Sequence, residues 1–383
     1  MSDPDRGAAS ADDARKAAAR ELLRRATDAQ GFVPFDRFME VALYGEGVGF
    51  YTRPDSPFGR EGDYYTAAHA SPLFGRAVAE RVRTALASIP KGIPARIVEI
   101  GPGDGTLGET LVAGLAAGER APGLSEVVIV ERSTSLSRRA LDRISSAARP
   151  LDVAVSVAES MGALGPFHGV VIANELLDAQ PTRRLVWTGR EWQETGVRWA
   201  GDRFVRAAVP AIRPVPAPEL PSELPPGTIV EVSPMAGALV REVADHLVSG
   251  LFLVLDYGME ERELVTAHPS GTLAAIRRHR YVDDPFADPG SSDLSAFVNF
   301  TRLRSVARTA GFREVAFRRQ AEALGEWGLP RLLEEAVRAA PSAEAEVRTR
   351  LAAKNLAFGF ERFYALELEP APPSADASAG PVT

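Results

Sequence analysis

Short apolar runs alternate with longer amphipathic stretches through the middle of the chain. Five runs have the composition of buried strands: Arg96–Ile100, Val127–Glu131, Val153–Val157, Val170–Ala173 and Leu251–Asp256. The first four are separated by stretches long enough for a helix to return the chain in the same direction, which is typical of a parallel sheet covered by helices. The pattern predicts an α/β fold with a doubly wound sheet.

The end of the chain adds further elements to this sheet. A helix over Arg302–Ala310 precedes a strand over Glu314–Arg318, and a last strand covers Phe363–Glu369. A parallel run that is followed by a helix, a strand and a late final strand fits a seven-stranded sheet. The final two strands would form an antiparallel hairpin at one edge.

Four stretches do not fit this core, and they predict an added lobe built from insertions. Residues 182–209 alternate around three tryptophans in the manner of antiparallel strands. Residues 210–227 contain seven prolines and predict a stiff connector, whereas residues 259–299 are rich in loop-forming residues. Residues 320–358 have helical periodicity.

Composition and charge narrow the possible functions. The chain of 383 residues carries a net charge of −7, which repels polyphosphate and argues against a general nucleic-acid binder. Cysteine is absent, and no His/Asp/Glu cluster has the spacing of metal ligands, so we expect no metal site. No run approaches the roughly 20 apolar residues needed to span a bilayer, and the N-terminus lacks an apolar signal core. We therefore expect no membrane partner and a cytoplasmic location.

The segment Val98–Thr106 is the sharpest local signal, because it joins a strand to a helix through glycines at alternate positions. Glycines 101, 103 and 105 allow positive φ and remove Cβ atoms, so a ligand can lie directly on the backbone. A dinucleotide fingerprint would need glycine at position 106, where threonine stands. This weakens a pyrophosphate site and leaves open an adenosine ligand that carries an amino acid instead.

Glu131 ends the second strand, where a carboxylate can accept hydrogen bonds from both hydroxyls of a ribose. Enzymes that use NAD share this arrangement, so Glu131 alone does not identify the cofactor. The alternative is a glycine-rich turn beside a surface glutamate. Strand, loop, helix and acid in this order favour a nucleotide site.

The fourth strand ends in Asn174 and Glu175, with Asp178 close behind. Ligands of open α/β sheets bind beyond the carboxyl ends of the strands, so these side chains are aimed at the site. Methyl transfer from a sulfonium needs a positioned nucleophile, and acidic groups can hold a cationic one. The alternative is a helix cap, with Asn174 as N-cap and Glu175 interacting with the helix dipole.

A loop before the sheet contains Gly62 and Asp63, and His69 follows it. The loop could close over the cofactor with Asp63 facing an amino group, or it could be an ordinary turn. A hydroxyl acceptor would need a base, for which His69 and His279 are the candidates. The alternative for either histidine is an ordinary polar or packing role.

These motifs, taken in order, resemble the MidA family of methyltransferases over roughly residues 32–366, a family that includes a mitochondrial protein arginine methyltransferase. The resemblance rests on Phe38–Tyr44, Gly49–Tyr51, Gly62–Thr66, Ser71–Gly75, Val98–Gly103, Val130–Ser133, Ala173–Pro181, Asp256–Gly258, His279, Pro289–Ser295 and Val298–Phe300. An ordered set of this kind is far more specific than the glycine loop alone.

The resemblance implies a class I methyltransferase fold with an added lobe, and S-adenosylmethionine as the methyl donor. The predicted cofactor-binding residues are Gly62, Asp63, Glu99, Gly101, Gly103, Glu131 and Asn174. The predicted catalytic residues are Glu175, Asp178 and His279. The implied organisation is N-terminal helices with a cofactor-covering loop over 1–92, a core over 93–319 with insertions at 182–228 and 259–299, C-terminal helices and the last strand over 320–369, and a disordered tail over 370–383.

The chain also departs from the family pattern. Asp104 stands where arginine is usual, Ala68 and His69 replace a common Pro-Glu pair, and Asn299 replaces an aspartate. The first two departures lie beside the predicted cofactor site and could alter the substrate. Three functions therefore remain in view: methylation of protein arginine, O- or N-methylation of a small molecule, and a non-catalytic assembly factor that binds a partner protein.

Overall fold

The computed structural model describes residues 4–53, 66–118, 121, 123–201, 203–214 and 224–372. Its helices are α1 Pro4–Arg25, α2 Phe35–Tyr44, α3 Ala67–Ala70, α4 Pro72–Ala87, α5 Thr106–Ala117, α6 Thr134–Ala148, α7 Pro234–His246, α8 Glu261–Ala267, α9 Phe300–Thr309, α10 Gln320–Glu326, α11 Leu329–Arg338 and α12 Ala343–Phe358. None of these helices combines the length and the apolar composition that a bilayer span requires.

The strands form one large sheet and two smaller ones. They are β1 Phe32–Pro34, β2 Ala95–Ile100, β3 Leu124–Val130, β4 Ala154–Ala158, β5 Phe167–Asn174, β6 Arg183–Trp187, β7 Trp192–Trp199, β8 Phe204–Pro210, β9 Ile229–Val232, β10 Leu247–Met259, β11 Ala274–Arg277, β12 Arg280–Tyr281, β13 Asp293–Ser295, β14 Val298–Asn299, β15 Phe312–Arg319 and β16 Phe363–Pro370.

The large sheet has the order β15-β16-β10-β5-β2-β3-β4. Strands β4, β3, β2, β5 and β10 are parallel, whereas β16 runs antiparallel between β10 and β15. The predicted α/β sheet and its antiparallel hairpin are confirmed. Short strand β14 also pairs with β10, which makes eight strands instead of the predicted seven.

The central strands are apolar throughout because helices cover both faces of the sheet. In β5, Val170 and Ile172 belong to the core formed with α4, α5 and α6, whereas Val171 and Ala173 belong to the core formed with α7 and α9. All four side chains are fully buried. Because β2 pairs in parallel with both β3 and β5, the carboxyl ends of these three strands meet at one edge of the sheet.

The added lobe is built around β1, β6, β7, β8 and β9. Residues 182–209 form antiparallel strands, as predicted, and the rings of Trp187 and Trp192 contact each other at 5.3 Å across the β6–β7 hairpin. A separate core beneath these strands includes Phe35, Phe38 and Phe286. The N-terminal helix α2 and strand β1 thus pack with the insertions.

Two predicted segments need comment. Residues 259–299 are mostly loop, in line with the prediction, but they also contain α8 and the short strands β11 to β14. Its strands are two to four residues long and too short to give an alternating pattern in the sequence. The disorder predicted for 370–383 falls almost entirely on residues 373–383, which lie outside the described residues.

Candidate active site

A cavity of about 290 Å³ opens at the carboxyl ends of the parallel strands. It is bounded by the glycine loop after β2, the ends of β3, β4 and β5, the segment around α3, and one side of α7. Six of the predicted residues line it together: Glu99, Gly101, Gly103, Glu131, Asn174 and Glu175. The strand order therefore collects side chains that are far apart in the sequence.

The glycine loop has the backbone conformation that its sequence predicts. Gly101, Gly103 and Gly105 have φ values of 64°, 59° and 84°, a left-handed region that side chains with a Cβ rarely adopt. A Cβ at Gly101 would lie 2.6 Å from Leu176 Cδ1, and one at Gly105 would lie 2.7 Å from Ala140 Cα. The loop thus needs glycine for both its conformation and its close packing.

Glu131 lies at the edge of the cavity and is held by its own turn. Its Oε1 accepts a hydrogen bond of 2.7 Å from the backbone N–H of Ser133. Burial raises the pKa of Glu131 to about 7, although backbone hydrogen bonds from Ser133 and Arg132 act in the opposite direction. Two donors, such as the hydroxyls of a ribose, would stabilise its charged form.

Glu99 lies deeper, at the end of β2. Its side chain is almost fully buried, and burial together with the nearby charge of Asp104 raises its pKa to about 8. At neutral pH this carboxyl group therefore carries a proton and acts as a hydrogen-bond donor as well as an acceptor.

The turn after β5 is irregular, and no helix follows Asn174. Glu175 has a φ of 48°, unusual for a residue with a side chain, and its N–H donates to Leu255 O at 2.8 Å. The N–H groups of Leu176 and Leu177 donate to Asp256 Oδ2 at 3.1 and 2.8 Å. The helix-cap alternative for Asn174 and Glu175 is therefore wrong, because buried Asp256 holds this segment as a turn.

Asn174 and Glu175 present acceptors to the cavity. The Oδ1 atom of Asn174 is buried and has no hydrogen-bond partner in the described part of the chain. Glu175 Oε1 accepts a hydrogen bond of 2.9 Å from the backbone N–H of Ala67, which ties the α3 segment to the end of β5. An orphaned acceptor in a cavity lined by bare glycine backbone fits an adenosyl amino acid as ligand.

The structure does not bring two of the predicted catalytic residues to the cavity. Asp178 lies behind the wall of the cavity and is only 3% exposed. Burial and the carboxylates of Asp256 and Asp293 raise the pKa of Asp178 well above its ordinary value. His279 lies in the exposed turn between β11 and β12. Neither lines the cavity, because the β5 turn points Asp178 inward and the hairpin carries His279 to the surface. Predicted residues Gly62 and Asp63 lie outside the described residues.

Sequence reasoning missed an aromatic wall formed by Tyr44 and Tyr51. The two rings stack with centroids 5.6 Å apart and an angle of 24°, and both residues line the cavity. The Tyr51 hydroxyl donates to Asp293 Oδ1 at 2.8 Å, and that of Tyr44 donates to Ala179 O at 3.0 Å. Both tyrosines belong to motifs that carry the family resemblance, and this was the sequence signal that could have identified them as site residues.

The two departures from the family pattern contact each other. His69 Nε2 lies 3.3 Å from Asp104 Oδ1, and both residues line the cavity. Burial would raise the pKa of Asp104, but hydrogen bonds with His69 and Thr106 and the charge of Arg143 lower it to about 2. Asp104 is therefore a carboxylate at neutral pH.

Comparison with known families and proteins places the chain among methyltransferases. The model of a family of S-adenosyl-L-methionine-dependent methyltransferases matches residues 77–317. The mitochondrial protein arginine methyltransferase NDUFAF7 homolog of Drosophila melanogaster is 28% identical over 318 residues, which cover 76% of this chain and 70% of the relative. The NDUFAF7 protein of Mus musculus is 25% identical over 301 residues, 73% of this chain and 67% of the relative.

Solved structures agree with this placement. A COG1565 superfamily member from Burkholderia thailandensis, bound to S-adenosyl-homocysteine, superposes with a TM-score of 0.86 at 31% identity and covers 99% of this chain and 97% of its own. A second structure of a COG1565 superfamily protein from the same organism gives a TM-score of 0.83 at 30% identity, with the same coverage. The likeness therefore includes the added lobe as well as the sheet.

Proposed function

This chain belongs to the family of S-adenosyl-L-methionine-dependent methyltransferases, and from that premise we propose that its methyl acceptor is an arginine side chain of a protein. The MidA resemblance and the class I fold are confirmed, and S-adenosylmethionine is the methyl donor. The chain is an enzyme, so the assembly-factor alternative without catalysis is set aside. The curated relatives named as protein arginine methyltransferases, at 25 to 28% identity, support the acceptor proposal.

One observation carries the proposal: the stacked rings of Tyr44 and Tyr51 share a cavity with the carboxylate of Glu175. A guanidinium is a planar cation that stacks on aromatic faces and pairs with carboxylates. This protein already contains such a contact, because the guanidinium carbon of Arg132 lies 4.9 Å from the centroid of the Tyr44 ring. An arginine side chain of an acceptor could make the same kind of contact by stacking on Tyr51 or by taking the place of Arg132 on Tyr44.

The hydroxyl bonds of the tyrosines strengthen this suitability. Because Tyr51 donates to the Asp293 carboxylate and Tyr44 donates to a carbonyl, both hydroxyl protons are already used within the protein. An acceptor cation would then interact with the rings through their π faces, which attract cations.

The cofactor, when bound, supplies an electrophilic methyl group on its sulfonium. The residues of the chain would hold the acceptor for that transfer. Glu175 would accept hydrogen bonds from guanidinium N–H groups and concentrate a lone pair on the remaining nitrogen. The tyrosine wall would fix the plane of the guanidinium and exclude water from it. The turn that Asp256 holds keeps Glu175 in its strained backbone conformation.

The test is transfer of isotopic label from S-adenosylmethionine to proteins of a cell lysate, followed by acid hydrolysis and identification of the labelled amino acid. We expect labelled methylarginine, and we expect Glu175→Gln to lose at least about 100-fold of this activity, the scale of one group that stabilises a transition state. Glu46→Gln is the matched control, since Glu46 is an exposed carboxylate two residues beyond Tyr44. Equal labelling by the wild type and Glu175→Gln would contradict the role of Glu175.

A small-molecule acceptor is the second candidate, and the contact between His69 and Asp104 favours it. His69 lines the cavity beside this carboxylate, so a hydroxyl acceptor that displaced the Thr66 hydroxyl from Nδ1 would meet a base there. Label that appears in the small-molecule fraction of the same lysate, with none in protein, would select this alternative.

The cytoplasmic location stays a prediction, and the curated relatives are named as mitochondrial proteins.

A further inference from the structure

The cavity differs in chemistry on the two sides of Glu131. On the β4 side its lining includes the apolar side chains of Leu136 and Met161, whereas on the α3 side it includes His69 and Asp104. The methyl donor has a flat base at one end and an amino acid with an ammonium and a carboxylate at the other. With the ribose at Glu131, the ligand fits best with its base toward β4 and its amino acid toward α3.

Asp104 has one carboxylate oxygen that is well bound and one that is not. Its Oδ1 accepts the Thr106 hydroxyl at 2.7 Å and the Thr106 backbone N–H at 3.2 Å. Its Oδ2 has longer contacts, 3.4 Å to His69 Nε2 and 3.5 Å to Arg143 Nη1. Since hydrogen bonds from cationic nitrogen to a carboxylate are about 2.7–2.9 Å long, Oδ2 retains the capacity for a closer cationic donor.

His69 holds this carboxylate in place. Its Nδ1 lies 2.7 Å from Thr66 Oγ1, and the Thr66 side chain in turn caps α3 by accepting the backbone N–H of His69. The side chains of His69 and Asp104 are only 13% and 12% exposed. Thr66 therefore fixes the imidazole through Nδ1, and Nε2 of the same ring holds Asp104 at the wall of the cavity.

We propose that Asp104 binds the ammonium group of the methyl donor through Oδ2, with His69 as the positioning residue. A second, independent feature points to the same group, because Asn174 lines the same cavity and its Oδ1 is buried without a partner among the described residues. An ammonium has three N–H donors and no acceptor, so a cavity whose lining offers two oxygens in need of donors matches it. Arg143, whose side chain is 43% exposed, balances the charge of Asp104 from outside the cavity.

The test uses calorimetric titration with three probes that share the adenosine part. S-adenosylhomocysteine has the whole amino acid, its deaminated analogue lacks only the amino group, and 5′-methylthioadenosine lacks the amino acid. We expect Asp104→Asn to weaken S-adenosylhomocysteine about tenfold or more, the scale of one charge-assisted hydrogen bond. Binding of the two probes that lack the amino group is expected to stay within about twofold of wild type.

The matched control is Glu109→Gln. Glu109 is a carboxylate on the same helix start that also contacts Arg143, at 3.6 Å, but it does not line the cavity. We expect it to bind all three probes like the wild type. A loss in Asp104→Asn that is equal for all three probes would show a structural role and overturn the proposal, as would no loss for any probe.

His69→Gln provides the test of positioning, and it replaces Asp104→Asn should that variant fail to fold. A loss of affinity that is smaller than in Asp104→Asn and confined to S-adenosylhomocysteine supports the proposal. Only the ligand with the amino group depends on the position of Asp104 Oδ2. A loss shared by the deaminated analogue refutes it, as does unchanged binding of all three probes.

Discussion

The pKa of Glu131 makes binding of the methyl donor dependent on pH. The free protein has this pKa near 7 because the carboxyl group is buried. The carboxylate accepts hydrogen bonds from both ribose hydroxyls more strongly than the protonated acid does, so binding favours loss of the proton. We therefore expect affinity to rise as the pH increases through about 7 and to level off above it.

The magnitude follows from the fraction of protein that carries the charge. One pH unit below a pKa of about 7, roughly a tenth of the molecules have Glu131 ionised, and one unit above it roughly nine tenths do. Affinity for S-adenosylhomocysteine should thus fall roughly tenfold between about pH 8 and about pH 6, a change of about 1.4 kcal/mol. Near neutral pH, each binding event should release a fraction of a proton.

Calorimetric titration with S-adenosylhomocysteine at both pH values measures the affinity. Repeating it in two buffers with different ionisation enthalpies measures the proton release. Glu131→Gln is the control, because an amide keeps the shape of the side chain but does not titrate. We expect this variant to bind more weakly than the wild type and to lack the pH dependence that Glu131 contributes. A wild type whose affinity is flat over this range, or a Gln variant with the same slope as the wild type, would refute the reasoning.

Two further predictions concern strand β2 and the glycine loop that follows it. Gly101→Ala should weaken binding of S-adenosylhomocysteine in calorimetry and lower stability by about 1–2 kcal/mol, because φ at this position is 64° and the new Cβ would press on Leu176; unchanged binding would contradict the glycine argument. Glu99 has a raised pKa in the folded state, so its contribution to stability is complete below about pH 4.5 and is lost as the pH rises through about 8. Urea unfolding should therefore show a smaller loss of stability from about pH 6 to about pH 9 in Glu99→Gln than in the wild type, and equal losses would refute the assignment.

The sequence was sufficient for the sheet because its strands are buried on both faces. The apolar runs and their helix-length separations, together with the late strands, specified the large sheet up to the short additional strand β14. The same logic placed Glu131 and Glu175 correctly, since a residue at the carboxyl end of a parallel strand must lie at one known edge. A sequence pattern therefore predicts well which residues lie at the end of a strand.

Residues beyond the strand ends were harder to place, because turns set the direction of a side chain. Asp178 is only four residues from Asn174, yet the turn held by Asp256 directs it away from the cavity. The tyrosine wall was missed for a related reason: α2 and the loop after it belong to the added lobe. Their approach to the sheet depends on tertiary packing that no local pattern records.

Packing also connects Asp104 with His69, 35 residues apart in sequence. The family resemblance leads us to expect arginine and glutamate at these two positions, where this chain has aspartate and histidine. A pair that is in contact should be exchangeable only as a unit. Asp104→Arg alone would place a second guanidinium beside Arg143 and His69, and His69→Glu alone would place a second carboxylate beside Asp104. Each single variant should lower the free energy of unfolding by about 1–3 kcal/mol, and the double variant should recover most of the sum. Urea unfolding of the four proteins measures this coupling. Additive losses would mean that the contact between the two side chains contributes nothing to stability, and would refute the coupling.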